Sequence, residues 1–305
     1  MFERILFATT ASPTCDDAAK VAFDLADKYD SEKLFVFHVP GFPTRGYSQF
    51  VRDARTGEEE QISPEYTEWI HEEMKNTYGE LMKGSENCEL VTRVGVPSTE
   101  ILRMARENEV NLIVMGAHTR QEDVGATRFR KFSGSNMRKV AQRARCPVLI
   151  ISRPCTTCFK LFSHIVFATD FSKAAGSAFQ FALEAADDVG ARLYLFHAVD
   201  ISGLHAGKDV DQTQIEQRVK AADKKMQEKY VSKMGDFDNY EIAIWEGLPY
   251  VEILKYARDK QADLVVMAHH TKDVDPEDAE LGSTVEQVVL RSACPVASVN
   301  RSDKL

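Results

Sequence analysis

The sequence repeats itself. Ile5-Leu6-Phe7-Ala8-Thr9 returns as Ile165-Val166-Phe167-Ala168-Thr169, 160 positions later, and Leu34 to His38 returns as Leu193 to His197 at 159. Gly95-Val96-Pro97 and Leu112 to Met115 return as Gly247-Leu248-Pro249 and Leu264 to Met267 at 152. The closing pair, Gly134-Ser135 with Cys146-Pro147-Val148, returns as Gly282-Ser283 with Cys294-Pro295-Val296 at 148. An offset that shrinks stepwise means one unit duplicated, with longer insertions in the first copy. Two domains are therefore expected, over residues 1–153 and 161–305, joined by a linker over 154–160. Each half has typical domain length and can bury a core of its own.

Within each copy, strands alternate with helices. Residues 4–9 form a continuous apolar run, as a strand buried on both faces should. Ser12-Pro13 reads as an N-cap with proline at the first helical position, ahead of Ala18, Ala19, Ala22, Leu25 and Ala26 at helical spacing. Strands over 34–39, 89–94, 112–115 and 148–151 follow, with helices over 64–84, after Ser98 as cap, and after Gly134-Ser135. The second copy repeats the plan. Its strands are expected over 165–169, 193–199, 241–245, 264–267 and 296–299, and its helices from Ser172, within 212–234, from Tyr250 and from Ser283. The fold class is α/β: two Rossmann-like domains, each a five-stranded parallel sheet flanked by helices, because right-handed crossovers place helices on both faces.

Such sheets bind ligands beyond the carboxyl ends of their strands, where strand order reverses. Chemistry is therefore expected in the segments after strands one and four. In copy two, Asp170-Phe171-Ser172 offers a carboxylate and a hydroxyl, which serve either a ligand or the start of the next helix. Copy one has Thr10-Ala11-Ser12 there, so the carboxylate is lost. Ser283-Thr284-Val285-Glu286 has the spacing of a capping box, and Gly282 before it would admit an anion to the helix N-terminus. Copy one has Ser135-Asn136-Met137-Arg138, with no glutamate at the matching position.

The segments entering the two turns carry opposite charge. Arg120, Arg128, Arg130 and Lys131 precede the first; Asp273, Asp275, Glu277, Asp278 and Glu280 precede the second. Either is a solvated loop or part of a phosphate site, and the acidic one would need a divalent metal such as magnesium to accept a polyphosphate. His118 and His270 fall at equivalent positions and could donate to phosphate; His38 and His197 read as packing or turn residues. Cys155-x-x-Cys158 in the linker has the spacing of half a zinc site or a redox pair, but no second Cys-x-x-Cys accompanies it.

Net charge is −9, from 38 basic and 47 acidic residues, which argues against nucleic acid or an anionic membrane as the main partner. No apolar run reaches the roughly 18 residues a membrane helix needs, and no leader pattern opens the chain. A cytoplasmic protein with reduced thiols is expected.

Taken together, these residues resemble the universal stress protein family in its tandem form, over nearly the whole chain. The resemblance implies an adenine nucleotide alpha hydrolase-like fold, with Asp170-x-Ser172 ending the first strand and Gly282-Ser283 through Cys294-Pro295-Val296 as the closing signature. In nucleotide-binding members, strand four runs into Gly-x-x-Gly, nine residues and Gly-Ser or Gly-Thr. Here copy one keeps Gly116 but has Thr119 for the second glycine, and copy two has Ala268 and Thr271 for both. The resemblance implies ATP, with or without magnesium, in at least one copy. In copy two the implied contacts are Ala168, Asp170, Ser172, Ala198, Met267, His270, Gly282, Ser283 and Thr284. In copy one they are Thr10, Val39, Met115, Gly116, His118, Gly134, Ser135 and Asn136.

A regulatory or protective role follows, with no dedicated reaction beyond slow ATP hydrolysis, since no general base or activated nucleophile is evident. The rival reading is an interaction protein whose degenerate pockets take a protein or another small ligand. The duplicated fifth strands lead to the expectation of an intrachain pseudo-dimer of the two copies, with a homodimer of whole chains as a further level.

Overall fold

The computed structural model describes residues 2–12, 15–43, 50–53, 59–61, 63–83, 85–117, 135–152, 162–201, 212–269 and 282–300. His118, Gly134, His270, Cys155, Cys158 and the two charged runs before the Gly-Ser turns lie outside the described residues. The chain divides into two compact units, Met1–Arg153 and Pro154–Leu305.

In unit one, β1 (Arg4–Thr9), β2 (Lys33–His38), β6 (Cys88–Thr92), β7 (Leu112–Gly116) and β8 (Val148–Ile151) form a parallel sheet in the order β6-β2-β1-β7-β8. The central strand is sealed on both faces, with Ile5, Leu6 and Phe7 fully buried, as its unbroken apolar run requires. Helix α1 (Asp16–Lys28) presents Ala18, Ala22 and Leu25 to the sheet. Helices α2 (Pro64–Met82), α3 (Pro97–Glu107) and α4 (Ser135–Arg143) complete the unit.

Unit two repeats this with β9 (His164–Ala168), α5 (Ala174–Val189), β10 (Arg192–Val199), α6 (Gln212–Lys229), β11 (Tyr240–Glu246), α7 (Pro249–Asp259), β12 (Leu264–Ala268), α8 (Ser283–Arg291) and β13 (Val296–Val299). Its strand order is β11-β10-β9-β12-β13, all parallel. The order reverses between β9 and β12, so a crevice opens at their carboxyl ends. No helix among the described residues is long and apolar enough to cross a membrane.

Four expectations need correction. The long connection before α2 carries a small antiparallel sheet, β3 (Gly41–Pro43), β4 (Phe50–Asp53) and β5 (Glu59–Gln61), whose strands are too short to leave a periodic signal. Helix α1 starts at Asp16 with Cys15 as N-cap, three residues beyond Ser12, whose hydroxyl lies 2.8 Å from Thr10 Oγ1. Ser98 lies inside α3, capped by Val96 with Pro97 at the first position, and it is buried. Ser283 likewise lies inside α8: the N-cap is Gly282, which has no side chain to close a capping box.

Candidate functional site

Register places the first three features of unit two at one level. Ala168 pairs with Phe196 of β10 on one side and with Met267 of β12 on the other, so the ends of the three strands form a floor. Beyond Ala168 the chain turns sharply through Phe171, at φ 63. Two side chains hold that left-handed turn. The Phe171 N–H donates to Thr169 Oγ1 at 2.9 Å, and the Ser172 N–H donates to Asp170 Oδ1 at 2.9 Å. Thr169 Oγ1 is also 2.6 Å from the Tyr230 hydroxyl at the end of α6. Burial pushes that phenol up to about 12, so it stays a neutral partner. Asp170 itself is exposed. Ser172 Oγ accepts the Ala175 N–H at 3.3 Å, a bond into the first turn of α5, which begins at Ala174 with Lys173 as N-cap and not at Ser172; Ser172 does not line the cavity.

The end of β10 adds His197. Its Nδ1 lies 2.7 Å from the Thr169 carbonyl, and its ring packs against Phe171 with centroids 4.5 Å apart. Burial holds its pKa below the usual histidine value; the Thr169 carbonyl and Asp170 oppose that shift, and Lys225 reinforces it. The imidazole is therefore neutral near pH 7, with its proton on Nδ1.

A third wall comes from the Gly247-Leu248-Pro249 turn. Gly247 sits at φ +146, and Glu252 folds back so closely that a Cβ on Gly247 would lie 2.7 Å from its Cγ. Pro249 at the first turn of α7 and Ile253 one turn on then face the strand ends. The fourth wall is the start of α8. The Gly282 N–H donates to the His269 carbonyl at 3.1 Å, which fixes where the helix begins. No side chain among the described residues caps it, so the first-turn N–H groups of Ser283 and Thr284 point their partial positive charge outward.

These walls enclose a cavity of about 170 Å³, space for one aromatic ring system. Ala168, Asp170, Ala198, Met267, Gly282, Ser283 and Thr284 all line it, so the strand-one and strand-four candidates of copy two meet in one place. Phe196, Ile253 and Val285 line it as well, and they were not singled out from sequence; His197, read there as a packing or turn residue, lines it too.

Unit one repeats the turn without the carboxylate. Ala11 takes φ 53, its N–H donates to Thr9 Oγ1 at 3.0 Å, and Thr9 Oγ1 lies 2.5 Å from the Tyr78 hydroxyl. His38 Nδ1 lies 2.8 Å from the Thr9 carbonyl. Thr10 is turned inward, its hydroxyl on Ser12, whereas Asp170 is exposed. Val39 and Met115 are buried, Gly116 continues β7 beside Ile151, and Ser135 and Asn136 open α4.

The cysteines of the closing signature are buried in both units. Burial pushes the Cys146 thiol up to about 12 and Cys294 up to about 11. Among the described residues no cluster of three His, Cys, Asp or Glu side chains is placed to share a metal ion.

A family model described as the universal stress protein family matches residues 1–152 and again residues 161–300. The chain belongs to this family. It is a tandem universal stress protein, and the two matches fall one in each unit. The universal stress protein MJ0531 of Methanocaldococcus jannaschii is 32% identical over 149 residues, covering 47% of this chain and 85% of that protein. A universal stress protein from Archaeoglobus fulgidus superposes with a TM-score of 0.66 at 21% identity, covering 99% of this chain and 97% of that one. The Pseudomonas aeruginosa protein PA1789 gives 0.61 at 16% identity, with 99% and 94% covered. At these identities the two structures establish the fold alone.

The Thr–Tyr pair that locks each turn was visible in the sequence only as repetition: Thr9 recurs as Thr169, and Tyr78 as Tyr230. The contact joins residues 69 positions apart in one unit and 61 in the other, so no local pattern announces it.

Proposed function

We propose that unit two of this universal stress protein binds an adenine nucleotide, ATP with magnesium, at the carboxyl end of its sheet. The protein then acts in the cytoplasm as a regulatory or protective nucleotide-responsive module and not as a fast enzyme. One observation carries the reading: the carboxylate of Asp170, the strand end at Ala198 and Met267, and the uncapped helix start at Gly282–Thr284 line a single cavity. A base-sized ring fits the apolar floor of Phe196 and Met267. Asp170 is the hydrogen-bond acceptor available to sugar hydroxyls or a base amino group. The N–H groups of the α8 first turn are the donors available to phosphate oxygens. The acidic run Asp273 to Glu280 enters that turn in sequence, which is why a magnesium complex is preferred to free ATP.

Calorimetric titration with ATP, with and without magnesium, tests this on the full chain. Ser283→Asp is the informative variant, because a carboxylate in the first helical turn favours the helix while repelling phosphate. Wild type should bind, and Ser283→Asp and Asp170→Ala should each weaken binding about tenfold or more; Ser283→Asp should leave the melting temperature unchanged, whereas Asp170→Ala also gives up the Ser172 N–H bond and should lower it slightly. Absence of binding at millimolar ATP refutes the reading. The apolar lining from Phe196, Ile253, Met267 and Val285 favours a second reading, an uncharged ligand in a degenerate pocket. That reading requires occupancy indifferent to Ser283→Asp.

A further inference from the structure

The two units place the same histidine in unlike settings. His38 and His197 each set Nδ1 on the carbonyl of the threonine ending the first strand, at 2.8 and 2.7 Å. A carbonyl only accepts, so in both rings Nδ1 carries the proton and Nε2, in the neutral ring, is an acceptor. His38 is sealed, at 1% exposure. His197 is half-buried and lines the cavity beside Asp170 and Ala198. Among the described residues its Nε2 has no hydrogen-bond partner, yet it is not one of the buried polar atoms left without one, so it keeps access to the cavity.

We infer that His197 Nε2 is a hydrogen-bond acceptor for the ligand in unit two, selecting a group that donates an N–H or O–H, such as the amino group of an adenine ring. This rests on the nucleotide reading of the same cavity and adds a residue that sets its polarity. The backbone fixes the tautomer: the Thr169 carbonyl holds the proton on the far side of the ring, and Phe171, itself braced by Lys229 Nζ on its carbonyl at 2.6 Å, holds the ring plane. The charged groups facing the ring are Asp170 from the β9 turn and Lys225 from α6, with opposite effects on its protonation. When Nε2 takes up a proton it becomes a donor, and the ligand's N–H then meets another N–H.

His197→Asn and His197→Gln separate a ligand role from a structural one. The Asn amide reaches the Nδ1 position and keeps the bond to the Thr169 carbonyl, but has nothing at Nε2. Gln places its amide near Nε2 and gives up the Thr169 bond. ATP affinity, measured by calorimetry with magnesium at pH 7.5, should fall about five- to tenfold in His197→Asn, the scale of one lost hydrogen bond. The melting temperature of that variant should stay near wild type. His197→Gln should show the reverse, a lower melting temperature with affinity closer to wild type. The ratio of the Asn to the wild-type dissociation constant should shrink as the pH is lowered from 7.5 to 5.5, since only wild type loses an acceptor; titration of ATP itself affects both proteins alike. Equal ATP affinity of wild type and His197→Asn overturns the inference while leaving the nucleotide reading standing. A ratio that grows on acidification overturns it too, because the ring would then act as a cation. Wild type failing to bind ATP overturns both.

Discussion

Replacing Gly247 by alanine tests the turn that sets the α7 wall, and Gly95 in unit one provides its control. Both glycines precede an x-Pro helix start, and both are overlain by a glutamate five residues on. A Cβ would meet Glu252 Cγ at 2.7 Å and Oε1 at 2.8 Å in one case, and Glu100 Cγ at 2.6 Å and Oε1 at 2.9 Å in the other. They differ in backbone. Gly247 stands at φ +146, and Gly95 is not among the positive-φ glycines. In both variants the glutamate must swing away from the turn, loosening Glu252–Lys255 at 2.8 Å or Glu100–Arg103 at 3.0 Å, pairs in which the basic end is exposed and the glutamate largely covered. Crowding adds about 1–3 kcal/mol, and only Gly247→Ala carries a further ~1–3 kcal/mol for backbone strain. The decisive experiment is a pair of double variants. Gly95→Ala with Glu100→Ala should match Glu100→Ala alone within about 0.5 kcal/mol, because removing the glutamate removes the whole obstruction. Gly247→Ala with Glu252→Ala should remain ~1–3 kcal/mol below Glu252→Ala. Urea unfolding followed by Trp245 fluorescence in a Trp69→Phe background reports unit two, since Trp245 packs on Tyr256 with ring centroids 5.1 Å apart and Trp69 is 50% exposed. Circular dichroism follows the Gly95 pair. Full rescue of the Gly247 variant by Glu252→Ala would refute the backbone argument, and two neutral single variants would refute the close approach itself.

Tyr230→Phe should cost ~0.5–1.5 kcal/mol, one hydrogen bond, whereas Thr169→Val should cost ~1–3 kcal/mol because both the Phe171 N–H and the Tyr230 hydroxyl lose their partner. Thermal melts should rank the two in that order, and the reverse order would mean the threonine does not hold the turn. Asp263→Asn should destabilise unit two by ~1–3 kcal/mol, since the Ser163 and His164 N–H groups, at 2.7 and 3.1 Å, sit on separate carboxylate oxygens and an amide offers only one acceptor. Asn111 suffices at the matching place in unit one, where its Oδ1 accepts the Arg4 N–H at 3.2 Å. The lowered pKa of His197 has a defined sign: the unfolded chain takes up its proton first as pH falls from the ordinary value of 6.5. The stability linked to the neutral ring is thus complete above pH 6.5 and is lost as pH falls through the folded-state value. His197→Asn should flatten this part of the melting-temperature profile between pH 7.5 and 5.

Most of the fold was legible because it depends on short-range patterns. Predominantly apolar runs gave β1, β8 and β13 their bounds to the residue, since a strand covered on both faces has few polar positions. Helix starts were less legible. Ser12, Ser98 and Ser283 all looked like caps, but a serine caps only if its backbone stands one residue outside the helix and its hydroxyl is free. Helix α1 begins at Asp16, well past Ser12, while α3 begins at Pro97 and α8 at Ser283, so Ser98 and Ser283 stand inside their helices. The same correction bears on the site: with Gly282 as N-cap, no capping box competes for the first-turn donors.

Repetition within the chain determined two parallel α/β units and marked the ends of strands one and four as the places for chemistry, because duplication and periodicity are written in sequence order. Tertiary structure decided which marked residues share a cavity. The register of Ala168 with Phe196 and Met267, and the long-range grip of Tyr230 on Thr169, accompany the meeting of Asp170 and Gly282 on one cavity although they are 112 positions apart. It also separated His197 from His38, which share a local sequence and a carbonyl partner. One ring is sealed in its unit and the other opens on the cavity, a difference made by neighbours that lie far away along the chain.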